Sequence, residues 1–536
     1  MEPGLMMGAP LSIVDILRHA AVCHGDGRVV SRLGNGAVHR YSYDACWQRV
    51  NRLAHGLRAA GLQPGDRVGT LAWNDYRHLE LYYAVSGLGA VVHTVNPRLS
   101  LEQLAYVIQH AQDRFLFLDA EFLPLVEQLL PSLPAVERLW LLASAPAEAP
   151  GRADRAESYE SLLGAEEGPF PWPAFPETTA ASLCYTSGTT GKPKGVLYSH
   201  RSTLLHARAV AGTEGWRLDR FSSVLAVVPM FHASAWGIPY AAPMMGSKLV
   251  LPGRRLDGAS LHELITTEEV DSMCGVPTVW QGLLDYLDDA GQTLPSVHTA
   301  IVGGSAAPLS MIEAFDRKHD VFVVHGWGMT EVSPVGTVNY RTPFMDSLAP
   351  GERHRYQLKQ GKPLFGVKLR IVDDSGATLP RDGRTSGHLQ VSGPWVCSGY
   401  VGQDAPRDHA WFDTGDIATL DEDGCMQIVD RSKDVIKSGG EWISSIEIED
   451  AALALAAVSE ACAVGINHPK WGERPLLLVT CSAPATREQL LQELRARLPK
   501  IALPDDILVV EELPHTATGK LHKAALRSRY ADHYQG

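Results

Sequence analysis

Residues Tyr185 to Val196 read Tyr-Thr-Ser-Gly-Thr-Thr-Gly-Lys-Pro-Lys-Gly-Val, and few folds can use such a stretch. Six small residues, Thr186, Ser187, Gly188, Thr189, Thr190 and Gly191, run together, and Lys192 and Lys194 follow. Small side chains leave backbone N–H groups open to a ligand, hydroxyls donate hydrogen bonds, and lysines add charge. A flexible Gly/Ser/Thr linker shares that composition. However, the apolar run Val196-Leu-Tyr198 follows directly, which favours a loop clamped against a strand, and the two lysines argue against an inert spacer. Lys192 precedes a proline and the glycine spacing is not that of a Walker A loop. The expectation is phosphate binding in a nucleotide site of another kind.

A chain of 536 residues exceeds what one hydrophobic core usually organises, so two or more domains are expected. The formal charge of -13 disfavours nucleic acid as the main partner. Eight scattered cysteines without a Cys-x-x-Cys pair suggest reduced thiols, offer no zinc framework and, with no basic-then-apolar leader pattern, point to a cytoplasmic chain. Val224 to Gly246 carries no formal charge and is long enough to span a bilayer. Pro229, Pro239, Pro243 and His232 interrupt it, so a buried strand, turn and short helix lining an apolar cavity fit better.

The fold class expected is α/β. Residues 41–60 carry helical apolar spacing, 67–73 read as a strand, and the alternation continues to about residue 120, as in a parallel sheet. Residues 143–179, rich in Pro, Ala and Glu, read as a surface connection with little core. Apolar strands at 297–303 and 321–325 run into Gly304-Ser305-Ala306 and Gly326-Trp327, placing both segments at strand C-termini, where ligands bind in open α/β sheets. Residues 362–391 alternate like antiparallel β-structure, and the last hundred residues read as a small α+β unit.

Individually, several residues keep two readings. Thr330-Glu331 supplies hard oxygen ligands for a magnesium ion on a triphosphate, or a helix cap and an acidic first turn. Asp416 could accept hydrogen bonds from vicinal hydroxyls, or cap a turn. Trp236, in His232-Ala-Ser-Ala-Trp-Gly237, could line an apolar site or pack the core. Lys433 and Lys520 alone are ordinary solvated lysines.

Taken together, the segments carry a resemblance that bears on these choices. Thr186–Gly195 resembles the phosphate loop of the adenylate-forming superfamily, which includes acyl-CoA synthetases, peptide-synthetase adenylation domains and firefly-type luciferases. Pro229-Met-Phe-His232, Gly326-Trp-Gly-Met-Thr-Glu331, Trp411-Phe-Asp-Thr-Gly-Asp416, Asp430-Arg-Ser-Lys-Asp434 and Thr518-Gly-Lys520 follow in that superfamily's order. The resemblance implies a large N-terminal domain of layered α/β sheets plus a β-subdomain (1–430) and a small mobile C-terminal domain (431–536) hinged near Lys433. It implies that Thr330 contacts phosphate and that Thr186 and Glu331 serve Mg²⁺. Asp416 and Arg431 would hold the ribose, and Gly304, Ser305, Ala306, Gly326 and Trp327 would lie at the nucleotide. Trp327 stands where many relatives have tyrosine, which leaves any hydrogen bond from that position in doubt. Asp430 replaces a common glycine, and His515 a common basic residue. Lys437, the turn at Gly439-Gly440 and Trp442 would meet coenzyme A.

The segment from His232 through Trp236 and Gly237 to Tyr240 resembles medium- and long-chain fatty acid synthetases, in which the tryptophan gates an acyl tunnel. ATP, coenzyme A and a fatty acid are the implied small-molecule partners, with an aryl-acid ligase or a carrier-protein-loading enzyme as alternatives. A homodimer and peripheral membrane contact stay open. Lys520 is the implied catalytic cation: a charge about 4 Å from converging carboxylate and phosphate is worth roughly 4 kcal/mol at an effective dielectric near 20. Lys520→Ala is therefore expected to abolish acid-dependent pyrophosphate exchange while leaving conversion of supplied acyl-AMP to acyl-CoA intact. Equal loss of both steps would remove Lys520 from the first one.

Overall fold

The computed structural model describes residues 4–143, 156–164, 168–186, 192–403, 411–439, 441–515 and 521–534. Ser187 to Gly191, Gly440 and Lys520 lie outside the described residues, so the expectations placed on them concern positions the description does not reach. Among the described residues the strands form four sheets.

In the first sheet, Arg67–Leu71 is flanked by Val91–Thr94 and Phe115–Leu118, all parallel, and Ala180–Thr186 extends it next to Val91–Thr94. Lys194–Ser199 then turns back antiparallel on Ala180–Thr186, pairing Thr186 with Lys194. The ends of the loop at 186–194 are thus fixed by a ladder, as the apolar run after it suggested. The second large sheet contains the parallel strands Ser223–Ala226, Ser272–Gly275, Thr299–Val302 and Phe322–Gly328. Near-continuous apolar runs such as Thr-Ala-Ile-Val suit strands covered on both faces.

The helix Tyr76–Gly87 is buried along its whole length and touches strands of both large sheets. Its polar residues are therefore paired. Asp75 caps it, accepting from the N–H groups of Arg77 and His78. Glu80, with no side-chain exposure, accepts from Arg49 Nε at 2.7 Å, Tyr159 OH at 2.6 Å and Tyr41 OH at 3.0 Å. His78 lies 2.9 Å from Thr70 Oγ1, and burial drops its pKa to about 4, so it is neutral there. Such pairing is what makes buried charge tolerable.

The connection after residue 143 differs from the sequence expectation. Ala156–Ser158 adds a parallel edge strand, and Tyr159, Leu162, Leu163 and Phe170 are buried. Proline and alanine there hide a few large anchors, and these few dock the segment on the helix Tyr43–Ala59. Cys46, Val50, Leu53 and Leu57 of that helix face the core, as their spacing required.

Lys368–Val372, Ser386–Ser392, Phe412–Leu420 and Met426–Arg431 form an antiparallel sheet that ends at Arg431. The fourth sheet begins at Ile436 and includes the long hairpin Val458–His468 with Gly472–Cys481. Hydrogen bonds cross between these units: Ser445 N–H donates to Asp430 Oδ2 at 2.6 Å and Ser444 Oγ to Val429 O at 2.5 Å. Lys523, held by Glu449 at 2.7 Å, is buried beside Asp430, and Arg527 donates to Lys433 O and Asp434. The aspartate that replaces a glycine thus caps the helix Ser445–Leu453.

Val224–Gly246 is a short strand, a turn and the eight-residue helix Ile238–Met245. No helix among the described residues is long and apolar enough to cross a membrane. A β-carbon at Gly56 would fall 1.9 Å from Leu162 O. Gly56→Ala is therefore expected to destabilise the chain by about 1–3 kcal/mol through overpacking, measured as a lower midpoint in denaturant. An unchanged midpoint would show that the 156–163 segment is not docked there.

Candidate active site

A cavity of about 600 Å³ opens where the two large sheets, the antiparallel sheet and the last unit meet. Thr186, Lys192 and Lys194, from the ends of the loop expected to bind phosphate, line it. So do His232, Trp236, Gly304, Gly326, Trp327, Thr330, Glu331, Arg431 and Lys433. Leu521, next to Lys520 in sequence, also lies on its wall. Asp416 is 2 % exposed and sits immediately behind Trp327 and Arg431. Ser305, Ala306, Gly237, Lys437 and Trp442 do not line the cavity, although Gly237 and Ser305 directly follow its wall residues Trp236 and Gly304. Lys437 and Trp442 share the hairpin Ile436–Ile443, where Lys437 Nζ is 5.8 Å from the indole of Trp442.

The strand Phe322–Gly328 runs further than the sequence suggested. Its Gly326 and Trp327 remain in the strand, pairing antiparallel with Val338 and Thr337 before a bulge at Gly328. The chain then makes a short 3-10 turn at Thr330–Val332. This sequence of events delivers Trp327, Thr330 and Glu331 to one wall. The indole that replaces tyrosine does make a hydrogen bond: Trp327 Nε1–H donates to Asp416 Oδ2 at 2.8 Å. Arg431 Nε reaches Asp416 Oδ1 at 2.9 Å.

Glu331 is 6 % exposed and accepts from Tyr400 OH at 2.8 Å. Burial, with the Glu331 carboxylate, pushes the Tyr400 hydroxyl well above its usual range, so it remains a donor. Lys194 Nζ stands 5.0 Å over the Tyr400 ring. Tyr198 OH donates to Thr330 O at 2.6 Å, and Cys397 N–H to Glu331 O at 2.7 Å. Sequence reasoning missed Tyr400, Tyr198 and Cys397, because nothing local marks a partner 69 or 132 residues away. Burial also lowers the Lys433 pKa, reinforced by Arg431 and Arg527.

The described residues hold no group of three His, Cys, Asp or Glu side chains placed for a metal. A magnesium ion carried on a triphosphate needs only one or two protein carboxylates. The oriented Glu331 carboxylate, beside Thr186 in the same wall, suits that requirement.

The apolar side is built on an unusual backbone. Ala233, Ser234, Ala235, Trp236 and Gly237 all have positive φ, between 44° and 80°. Each non-glycine residue in that region costs roughly 1–2 kcal/mol, so four of them store roughly 4–8 kcal/mol. The surroundings over-determine the turn. Asn74 Nδ2 donates to Ala226 O and Val228 O, both at 2.8 Å, while its Oδ1 accepts from Met230 N–H at 2.7 Å. Tyr82 OH donates to Met230 O, and Tyr83 OH to Pro239 O at 2.7 Å. His206, neutral because burial drops its pKa to about 3, accepts from Val335 N–H at 3.1 Å and packs against Gly237. The turn sets the Trp236 indole across Gly303, where a β-carbon would lie 3.0 Å from Cη2.

A layered α/β body with a small α+β unit over a nucleotide-sized cavity defines a class of adenylating enzymes, and comparison with known proteins agrees. The chain belongs to the AMP-binding enzyme family, whose description matches residues 17–401, with the AMP-binding enzyme C-terminal domain at 447–520. It is 47 % identical over 533 residues to a 3-methylmercaptopropionyl-CoA ligase of Ruegeria pomeroyi, covering 99 % of both chains. It is 46 % identical to a medium-chain-fatty-acid–CoA ligase of Ectopseudomonas oleovorans (99 % of this chain, 98 % of the relative). A long-chain-fatty-acid–CoA ligase of Thermus thermophilus is 45 % identical (100 % and 98 %). Among solved structures, an anthranilate CoA ligase shares the fold with a TM-score of 0.86 at 23 % identity, covering 98 % of each chain.

Gly237 has φ +80°, and a β-carbon there would meet the His206 ring at 2.8 Å. Gly237→Ala is thus expected to lower the melting temperature and to raise KM for the acid substrate more than KM for ATP. A shift confined to ATP would show that the turn serves the nucleotide instead.

Proposed function

We propose that the chain ligates a medium- to long-chain fatty acid to coenzyme A at the expense of ATP, through an acyl-adenylate. The observation that carries this reading is the shared cavity: Thr186, Lys192 and Lys194 line the same space as Glu331 and Trp236. A triphosphate grip and an apolar gate in one chamber suit a reaction in which a fatty carboxylate meets an α-phosphate. The two relatives named as fatty-acid–CoA ligases support the substrate class.

In the first step a carboxylate oxygen attacks the α-phosphorus and the bond to pyrophosphate breaks. In the second the coenzyme A thiol attacks the acyl carbonyl, the bond to AMP breaks, and the thiol proton leaves to solvent. Lys192, Lys194 and the phosphate loop hold the triphosphate, and Lys520 places positive charge where the two anions converge. Thr330 orients a phosphate oxygen, and His232 borders the meeting point of acid and phosphate. Mg²⁺, when bound on the triphosphate, neutralises charge there, with Thr186 and Glu331 as its protein-side partners. Asp416 and Arg431 receive the ribose, with Gly304, Ser305, Ala306 and Gly326 along the nucleotide. Trp236 gates the acyl chain. Residues 431–536 then rotate about Lys433, which brings Lys437, Gly439 and Trp442 to coenzyme A.

A second reading is a short thioether acid, favoured by the Ruegeria relative and by the indole lying close across Gly303. A panel of C2 to C18 acids, 3-methylmercaptopropionate and aromatic acids, scored for AMP formation with coenzyme A, separates the two. The expected optimum lies among the medium and long chains, and Trp236→Ala is expected to shift that profile while leaving KM for ATP unchanged. Turnover restricted to methylmercaptopropionate would overturn the fatty-acid reading.

A further inference from the structure

We propose that Trp327 is a positioning residue for the ribose: its indole N–H holds the Asp416 carboxylate in the orientation that meets the sugar hydroxyls. This deepens the proposed function and rests on the reading of Asp416 as the ribose acceptor.

The terminal torsion of an aspartate is soft, so surrounding donors decide how its carboxylate plane lies. Here the two oxygens are held separately, Oδ2 by Trp327 Nε1–H at 2.8 Å and Oδ1 by Arg431 Nε–H at 2.9 Å. The two donors are not equivalent. The Arg431 side chain is 41 % exposed and competes with water, whereas Trp327 is only 8 % exposed. The indole itself has little freedom, because a β-carbon at Gly336 on the facing strand would lie 2.5 Å from its Cζ3. The strand ladder fixes the Trp327 backbone, the missing side chain at Gly336 admits the ring, and the ring aims its one donor at Oδ2. A phenol at the end of a tyrosine would present its donor from a different point.

The test replaces the Trp327 indole by benzothiophene, incorporated as the unnatural amino acid, which keeps shape and π surface but lacks the N–H. Trp327→Phe is the second variant and Asp416→Asn the reference. For the full chain, kcat/KM is measured with ATP and with 2′-deoxy- and 3′-deoxy-ATP. Wild type is expected to prefer ATP. Loss of one hydrogen bond to a buried charge is expected to lower kcat/KM for ATP about tenfold in both Trp327 variants, and for the deoxy nucleotides by less than about twofold. The preference for ATP then collapses about tenfold, while kcat at saturating ATP stays within about threefold. A ring that only packs would instead lower all three nucleotides together, and that result overturns the inference. An intact preference in the benzothiophene variant, where Asp416→Asn abolishes it, overturns the inference and leaves the ribose role of Asp416 standing. A wild type indifferent to the missing hydroxyls overturns both.

Discussion

One wall of the cavity depends on a strand that is hydrogen-bonded along both edges, in opposite senses. Phe322–Gly328 pairs in parallel with Thr299–Val302 and then antiparallel with Val335–Val338. Because side chains alternate with period two, a slip of one residue would exchange Trp327 for a glycine on the face towards Asp416. The double ladder forbids that slip. It also aligns the strand so that the next turn brings Thr330 and Glu331 beside the ends of the phosphate loop. Backbone pairing, more than any single contact among the side chains, is what places three chemically different groups in one wall.

The apolar side is secured from a different direction. Asn74 follows a strand of the first sheet, while the carbonyls it binds lie at the last residue of Ser223–Ala226 in the second and two residues beyond it. One amide therefore staples the two sheets just ahead of the turn that carries Trp236. Tyr82 and Tyr83, from the helix buried between the sheets, brace either end of that turn. His206 links it to Val335, on the strand that pairs with Trp327. The two halves of the cavity are mechanically continuous through a neutral imidazole.

How much of this was written locally varies with the residue. Parallel strands were legible as short β-branched apolar runs, and the helix 43–59 as apolar spacing. The loop at 185–196 was legible from its composition, whereas Glu331, Asp416 and Trp236 stood out as candidates only through the resemblance of the short motifs that hold them. Tyr400, Tyr198, Asn74 and His206 were not, because an isolated tyrosine, asparagine or histidine has no periodic or compositional signature and acts only through a distant partner. The 143–179 connection was misjudged because Tyr159 and Phe170 are outnumbered by proline, alanine and glutamate. Trp327 shows the opposite failure: its motif was plain, but the direction of its N–H is set by Gly336 and by a carboxylate from another sheet.

The turn Ala233–Gly237 has the opposite hand to the helices around it, and this restricts how such a chain can vary. Glycine, and occasionally asparagine or aspartate, enters the left-handed region at low cost, whereas bulky and β-branched side chains do not. Mutational drift inside the turn is filtered by backbone handedness before any ligand is met. Tyr82, Tyr83 and Tyr240 pack beside the turn in ordinary right-handed helices and meet no such backbone filter, but loss of the Tyr82 and Tyr83 hydroxyls would release the carbonyls of Met230 and Pro239 that they brace. The turn that carries Trp236 is thus restricted twice over, by its own backbone handedness and by the side chains that brace it.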